Sequence, residues 1–413
     1  MSLVVQKFGG TSLADAAKIH RAAQRAIRAK LDGHQVVMVV SAIGGATDSL
    51  LALAAEISDN PPKRELDVLL TTGEQVSIAL TAMAIHQAGQ EAISLTAAQL
   101  GLVTDCTHTR AKIQRISRQR IDQELSKGRI VIVAGFQGID ASGEITTLGR
   151  GASDTTAAAL AAVLNASVCE IYTDVDGVYT ADPRIVQRAA KIDRISYDTM
   201  LEMAASGAGV VHSRAIEFGK KFNVPIHVRS SMCDMEGTRI MAETEGMEMI
   251  AVRGVTLKQD LGTISLIGVP NQAGTAAAIF GALGKQSLMV DDIVQSIHPH
   301  GKRATIAFST EVCDLAEARA ICENIAARLG EVEVIVNDDA CKVSAVGVGM
   351  STHSGIAGTM FQALADANIN IEFIFTSEIV ISCIVPRKDG EEAVRRVHTA
   401  FGLDQPDGPR NSP

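Results

Sequence analysis

Unbroken apolar runs closed by turn residues set the rhythm of the first ~230 positions. Val36-Val37-Met38-Val39-Val40 and Arg129-Ile130-Val131-Ile132-Val133 lack the polar alternation of a half-exposed strand, which predicts strands covered on both faces. The chain opens the same way, at Leu3-Val4-Val5. Between these runs, apolar positions recur at helical spacing over 13–32, over 65–88 (Leu66, Leu69, Leu70, Val76, Leu80), over 113–127 and over 153–165. Strand and helix thus alternate, the pattern of an α/β domain with a largely parallel sheet sandwiched by helices. Ligands in such sheets sit beyond the C-terminal ends of the strands, so chemistry is expected in the loops that follow the apolar runs.

Between residues 230 and 250 the texture turns polar and Met-rich, from Ser230-Ser231-Met232-Cys233-Asp234 to Glu245-Gly246-Met247-Glu248-Met249, which marks a domain boundary. Beyond it the chain repeats itself. Ile264-Ser265-Leu266-Ile267-Gly268-Val269 is matched by Val343-Ser344-Ala345-Val346-Gly347-Val348, and Gly274, Phe280 and Leu283 by Gly355, Phe361 and Leu364. Each copy reads strand, glycine turn, helix and second strand (290–296 and 371–377), as two α+β modules of βαββαβ type would. The expected division is 1–245, 246–340 and 341–405, with a Pro/Gly/polar tail at 406–413 that predicts fraying.

Composition narrows the partners. A net charge of -9 argues against nucleic acid or an anionic membrane as the principal partner, since both reward dense Lys and Arg. Aromatic residues make up only 3% and Trp is absent, which further weakens a stacking platform for single strands. The seven cysteines are scattered without a CxxC pair, so neither a disulfide framework nor a zinc ribbon is expected; the histidines form no HExxH pattern and receive no catalytic or metal role. No run approaches the ~18 apolar residues of a membrane span, and the opening residues are not a signal sequence, so a cytoplasmic location is expected.

Four strand-end passages carry the candidate chemistry. In Lys7-Phe8-Gly9-Gly10-Thr11-Ser12, glycines let backbone N–H groups approach an anion, a helix N-terminus follows, and Lys7 adds a full charge. The passage is no Walker A loop. Ser41-Ala42-Ile43-Gly44-Gly45-Ala46-Thr47-Asp48 is a second glycine turn with hydroxyls. In Thr146-Thr147-Leu148-Gly149-Arg150-Gly151-Ala152-Ser153-Asp154-Thr155-Thr156, a guanidinium between glycines is suited to grip a carboxylate or phosphate bidentately, while Ser153 and Asp154 are either caps or functional groups. The fourth passage runs from Tyr172-Thr173-Asp174-Val175-Asp176-Gly177-Val178-Tyr179 to Ala181-Asp182-Pro183-Arg184 and could meet a ribose, Mg2+ or a phosphate, or be a plain Asx turn. Glu74 lies in Thr71-Thr72-Gly73-Glu74. The inventory suits phosphoryl transfer from a nucleotide to a small acidic acceptor, chemistry that needs positioning and charge neutralisation more than a covalent nucleophile.

These four passages together resemble the aspartokinase branch of the amino-acid kinase family, and the C-terminal repeat resembles that family's paired ACT domains, so the likeness covers nearly the whole chain. The resemblance implies ATP-dependent phosphorylation of the β-carboxylate of L-aspartate, with Mg2+, as the entry to lysine, threonine and methionine (diaminopimelate) synthesis. By the same resemblance Lys7 neutralises the transferring phosphoryl group, Asp154 orients Lys7, and Gly9 and Gly10 give backbone donors. Arg150 grips the α-carboxylate of aspartate and Glu74 its ammonium, with Ser41, Thr47, Gly151 and Ser153 completing the pocket. Thr173, Asp174, Tyr179, Asp182 and Arg184 line the nucleotide site. One departure is Gly209, where many relatives place a nucleotide-binding lysine. In the ACT repeat, Asn271, Gly274 and Gln295 with Asn370 and Ile371 form a threonine-like effector site, and Asp292, His353, Ser354, Ser377 and Glu378 a lysine site. Asn271 stands where the family often has Asp. The resemblance also implies a homo-oligomer joined through ACT domains, with a separate regulatory chain started at Met247 or Met249 as a variant. The alternatives are a related kinase acting on glutamate and a non-catalytic amino-acid sensor.

Overall fold

The computed structural model describes residues 2–149, 151–242, 252–286, 288–299, 301–348, 350 and 355–404. Arg150, Met247, Met249, His353, Ser354 and the tail expected to fray lie outside them. The chain gathers into two units, one of Met1–Tyr179, Lys191–Ala205 and Gly209–Met247, the other of Thr180–Ala190, Ser206–Ala208 and Glu248–Pro413.

In the first unit β1 (Leu3–Phe8) leads through a 3-10 turn (Gly10–Leu13) into α1 (Ala16–Leu31). There follow β2 (Gln35–Val40), α2 (Ala46–Ile57), α3 (Lys63–Gln87), β3 (Ala92–Leu95), α4 (Ala97–Leu100), β4 (Leu102–Thr104), β5 (Ile113–Ile116), α5 (Gln119–Ser126) and β6 (Ile130–Ala134). Next come β7 (Gln137–Ile139), β8 (Ile145–Thr147), α6 (Ala152–Leu164), β9 (Val168–Thr173), β10 (Val178–Tyr179), β11 (Lys191–Ile192), β12 (Arg194–Ser196), α7 (Tyr197–Ala205), α8 (Ser213–Phe222), β13 (Ile226–Ser230) and β14 (Thr238–Met241). The expected helix over 113–127 is corrected: its first residues form β5, which pairs with β4, and the helix begins only at Gln119. Ile113 and Ile116, three apart, fit a helical period; a register shift in the pairing with β4 instead sets them opposite Thr104 and Leu102, and pairing decides.

Eight strands form the main sheet in the order β12-β14-β13-β9-β1-β2-β6-β3, parallel except where β13 meets β14. The unbroken apolar runs sit at its centre because both faces are covered. Val4, Phe8, Met38, Val40 and Ile132 pack with α1 and α3 through Ile19, Ala23, Ile78 and Ile85. On the other face lies α6, nearly every residue of which is buried; its alanines let helix and sheet approach closely. A smaller sheet, β5-β4-β7-β8, stands beside it. Helix α3 is long and apolar enough to cross a membrane by length and hydropathy, but half of its most apolar stretch is buried and it carries the buried carboxylates Asp67 and Glu74, the mark of a core helix.

The second unit contains β15 (Gly254–Pro270), α9 (Thr275–Lys285), β16 (Asp291–Ile297), β17 (Arg303–Glu311), α10 (Val312–Leu329), β18 (Glu333–Val346), α11 (Ile356–Asp366), β19 (Phe373–Thr376), β20 (Val380–Pro386) and α12 (Gly390–Ala400). The repeat is visible in the backbone: Gly274 and Gly355, at φ 97° and 100°, cap α9 and α11 identically. The two copies share one six-stranded sheet, β16-β17-β15-β18-β20-β19, because β15 and β18 are each long enough to serve both. A cut at 340/341 therefore falls inside β18, and the two cores sort differently: Ile264, Leu266, Phe308 and Cys322 in one, Val252, Val255, Val343 and Val394 in the other. That second core also takes Ala181 and Val186, from a segment expected in the catalytic part.

Candidate active site

Lys7 is the penultimate residue of β1, paired with Val39 of β2 and Ile171 of β9. Strand alternation turns Val4 and Phe8 toward α1 and Lys7 toward the opposite face, where α6 begins. There its Nζ lies 2.7 Å from Asp154 Oδ1, in the first turn of α6, with side-chain exposures of 12% and 9%. The other oxygen, Oδ2, accepts the His212 amide at 3.1 Å, so Asp154 is fixed from two sides. Gly151, at φ 71°, caps α6, and a Cβ there would stand 2.7 Å from the His212 ring. Burial lowers the His212 pKa, which keeps the ring neutral beside the pair.

The loop after β1 has no space for side chains. A Cβ on Gly9 would lie 3.3 Å from Lys7 Nζ, and one on Gly10 would strike the Ala42 carbonyl at 2.7 Å. Of the two glycines expected to present amides, Gly9 is corrected: its N–H donates to the Tyr172 carbonyl at 3.3 Å. The Ser41 loop is tied to the same place, with the Ser41 amide on the Phe8 carbonyl at 3.1 Å and Ser12 Oγ buried beneath without a partner. Thr47 sits half-buried in the first turn of α2.

Glu74 enters from α3. Its Oε1 accepts the Ala42 amide at 3.0 Å, while Oε2 is buried with no partner. The residue is 3% exposed, and burial pushes its carboxyl up to about 7 against the bond from Ala42. Ser153 packs on the turn after β6, where a Gly135 Cβ would come within 2.7 Å of its Oγ. Arg150, between Gly149 (φ 93°) and Gly151, lies outside the described residues.

The passage after β9 is less converged. Thr173 Oγ1 donates to Asp174 at 3.0 Å, and the Tyr179 hydroxyl to Asp176 at 2.8 Å. Asp182 and Arg184 bond each other bidentately, at 3.0 and 2.7 Å, on the segment that belongs to the second unit. Sequence reasoning missed Asp67, whose partners come from far along the chain, and Arg214, which bonds the Leu148 and Ala111 carbonyls at 2.7 and 3.3 Å.

In the second unit Asn271 donates to the Gly301 carbonyl at 2.7 Å, Gln295 lies exposed on β16, and Asn370 and the half-buried Ile371 precede β19. Ser377 and Glu378 are exposed in the turn before β20. Asp292 is already engaged: its Oδ2 bonds the buried Lys342 ammonium at 2.8 Å and the Ser309 hydroxyl at 3.0 Å. His353 and Ser354 lie outside the described residues.

The first unit thus offers a carboxylate with one unpartnered oxygen, an ammonium held by a second carboxylate, and helix N-termini that favour anions. Among the described residues no three His, Cys, Asp or Glu side chains gather as a metal site. Such a site on a parallel sheet, followed by a duplicated α+β module, defines a small-molecule kinase with a regulatory region. A model of the amino acid kinase family matches residues 2–230, and an ACT domain model matches 343–401. The chain is 46% identical over 409 residues to an aspartate kinase of Stutzerimonas stutzeri, covering 99% of each. It superposes on the crystal structure of E. coli aspartokinase III in complex with aspartate and ADP (R-state) with a TM-score of 0.85 at 26% identity, covering 97% of this chain and 100% of that one. For the same enzyme in complex with lysine and aspartate (T-state) the TM-score is 0.73, again at 26% identity, covering 96% and 99%. The chain belongs to the aspartate kinases, within the amino acid kinase family.

Proposed function

We propose that this protein transfers the γ-phosphoryl group of ATP to the β-carboxylate of L-aspartate, in the cytoplasm, giving 4-phospho-L-aspartate and ADP. A β-carboxylate oxygen attacks phosphorus as the bond to the β,γ-bridging oxygen breaks, and ADP leaves with the electron pair. The nucleophile is already ionised at neutral pH, so no general base is required. Lys7, oriented by Asp154, neutralises charge on the transferring group. Glu74 Oε2 receives the α-ammonium and Arg150 the α-carboxylate, with Ser41, Thr47, Gly151 and Ser153 around them; Gly10, Thr173, Asp174 and Tyr179 serve the nucleotide. Mg2+ would arrive carried on the nucleotide phosphates.

The observation that carries this reading is a buried, half-satisfied Glu74 on α3, bonded to the loop after β2, together with the Lys7–Asp154 ion pair at the end of the neighbouring β1. One selects an ammonium and the other a migrating negative charge, which is what an amino-acid acceptor requires. Trapping the acyl phosphate as a hydroxamate tests it: an ATP-dependent signal with aspartate and none with glutamate is expected. A signal with glutamate alone moves the assignment to a related kinase, and none with either acid leaves only an amino-acid sensor.

Regulation belongs to the second unit. Asn271, Gly274 and Gln295 with Asn370 and Ile371 form the threonine-like effector site of the same reading. Asp292, whose Oδ2 bonds Lys342, stands with Ser377 and Glu378 as the described groups for a lysine ammonium.

A further inference from the structure

Asp67 is fully buried on α3, two helical turns before Glu74 and on the same face. A carboxylate with no exposure must be paid in hydrogen bonds, and this one receives them from two separate pieces of chain, the 108–109 loop and the end of β8. The His108 ring donates at 2.8 Å, the Thr109 amide reaches both oxygens at 3.1 Å, and the Thr147 hydroxyl donates at 2.6 Å. Thr109 is held at φ 69°, a left-handed conformation unfavourable for a β-branched residue, so the bonds to Asp67 hold a strained loop in place.

That loop lies against the turn that carries Arg150. The Thr109 carbonyl is 3.5 Å from where a Gly149 Cβ would stand, and the Ala111 amide donates to the Thr147 carbonyl at 2.9 Å. Arg214 completes the frame by bonding the carbonyls of Leu148 and Ala111. The last two residues before Gly149 are therefore fixed by side chain (Thr147) and by carbonyl (Leu148), from opposite partners.

We propose that Asp67 is a positioning residue for the aspartate pocket: by binding Thr147 and the 108–109 loop it sets the direction in which the chain leaves β8 through Leu148 and Gly149, the residues ahead of Arg150, relative to Glu74 on its own helix. One carboxylate thereby spaces the two groups that receive the acceptor's ammonium and α-carboxylate. The inference rests on the roles given above to Glu74 and Arg150.

A double-mutant cycle separates it from simple structural support. Thr147→Val, which keeps shape and removes the donor, is expected to raise the aspartate KM at least about fivefold, leaving the ATP KM and the kcat per folded molecule within about twofold. In an Arg150→Ala background the same change should add less than about twofold, because the turn no longer carries the gripping group. His108→Asn, whose amide replaces the lost ring donor, should retain affinity that His108→Leu loses. Equal effects of Thr147→Val in both backgrounds, or a fall in kcat and in both affinities together, overturn the proposal. If Arg150→Ala itself leaves the aspartate KM unchanged, the underlying reading of Arg150 fails instead.

Discussion

Glu74 is placed where its charge opposes folding and serves the substrate. Burial raises its carboxyl from the ordinary 4.5 to about 7, so between those values the folded chain holds a proton that the unfolded chain releases. Stability from this group is therefore full below the unfolded value and is lost as pH rises through about 7. The shift corresponds to about 3 kcal/mol. Glu74→Gln should thus raise the thermal midpoint of the unliganded protein at pH 8 but not at pH 4.5, while abolishing aspartate binding. In the wild type, the aspartate KM should fall roughly tenfold between pH 6 and 8 as the ammonium's partner ionises. Steady-state kinetics across that range check it, and a flat aspartate KM would remove Glu74 from the ammonium's side. Lys7 was legible in the sequence because it closes a strand before a compact glycine loop; Asp154 read there as either a cap or a functional group, and Glu74, inside a helix, took its role only from the family resemblance. Asp67 and Arg214 were not legible, because their meaning lies in partners 41 to 103 residues away that only the folded chain assembles.

Elements meet at this site with no spare volume, and glycine is what allows it. Gly10 on the 3-10 turn and Gly73 on α3 approach Ala42 from two sides: added Cβ atoms would stand 2.7 Å from its carbonyl oxygen and 2.8 Å from its Cβ. Helix propensity alone predicts that Gly73→Ala stabilises α3 by about 1 kcal/mol; the collision reverses that sign by forcing α3, and Glu74 with it, away from the Ser41 loop. Gly281, inside α9 with nothing within 4 Å of its missing Cβ, is the control. Gly281→Ala should gain about 0.5–1 kcal/mol, whereas Gly10→Ala and Gly73→Ala should lower kcat/KM for aspartate at least about tenfold. Unfolding curves and kinetics on the three variants decide it; a fully active Gly73→Ala would show that the loop yields. The apolar runs read correctly as doubly covered strands because nothing else buries such a run. Strand β5 was read as helix because the three-residue spacing of Ile113 and Ile116 fits a helical period, and only pairing with β4 across a register shift makes the segment a strand.

At the scale of the molecule, the sequence repeat was visible but its interleaving was not, since strands long enough to serve two copies look like ordinary apolar runs. The second unit's core closes over Ala181 and Val186, and the Thr180 carbonyl accepts the Val255 amide, so a chain begun at Met247 or Met249 would lack part of that core. The shared sheet also decides how the effector residues can meet. Gln295 lies on β16 and Asn370 and Ile371 immediately precede β19, the two opposite edges of six strands. Five strand spacings put those edges about 24 Å apart, beyond the reach of one amino acid. Both edge strands are largely exposed, with Ile293 and Ile297 on β16 and Ile374 on β19 open to solvent, the kind of edge that a second sheet can extend. On the proposed reading, then, an effector site takes Gln295 from one copy and Asn370 from another. Gln295→Ala and Asn370→Ala should each abolish threonine inhibition alone. When the two variants are co-expressed and the mixed assembly is isolated by separate affinity tags, one of its two sites is doubly altered and the other is intact, so partial inhibition should return. If the mixed assembly stays as insensitive as its parents, the two residues do not share a site across copies.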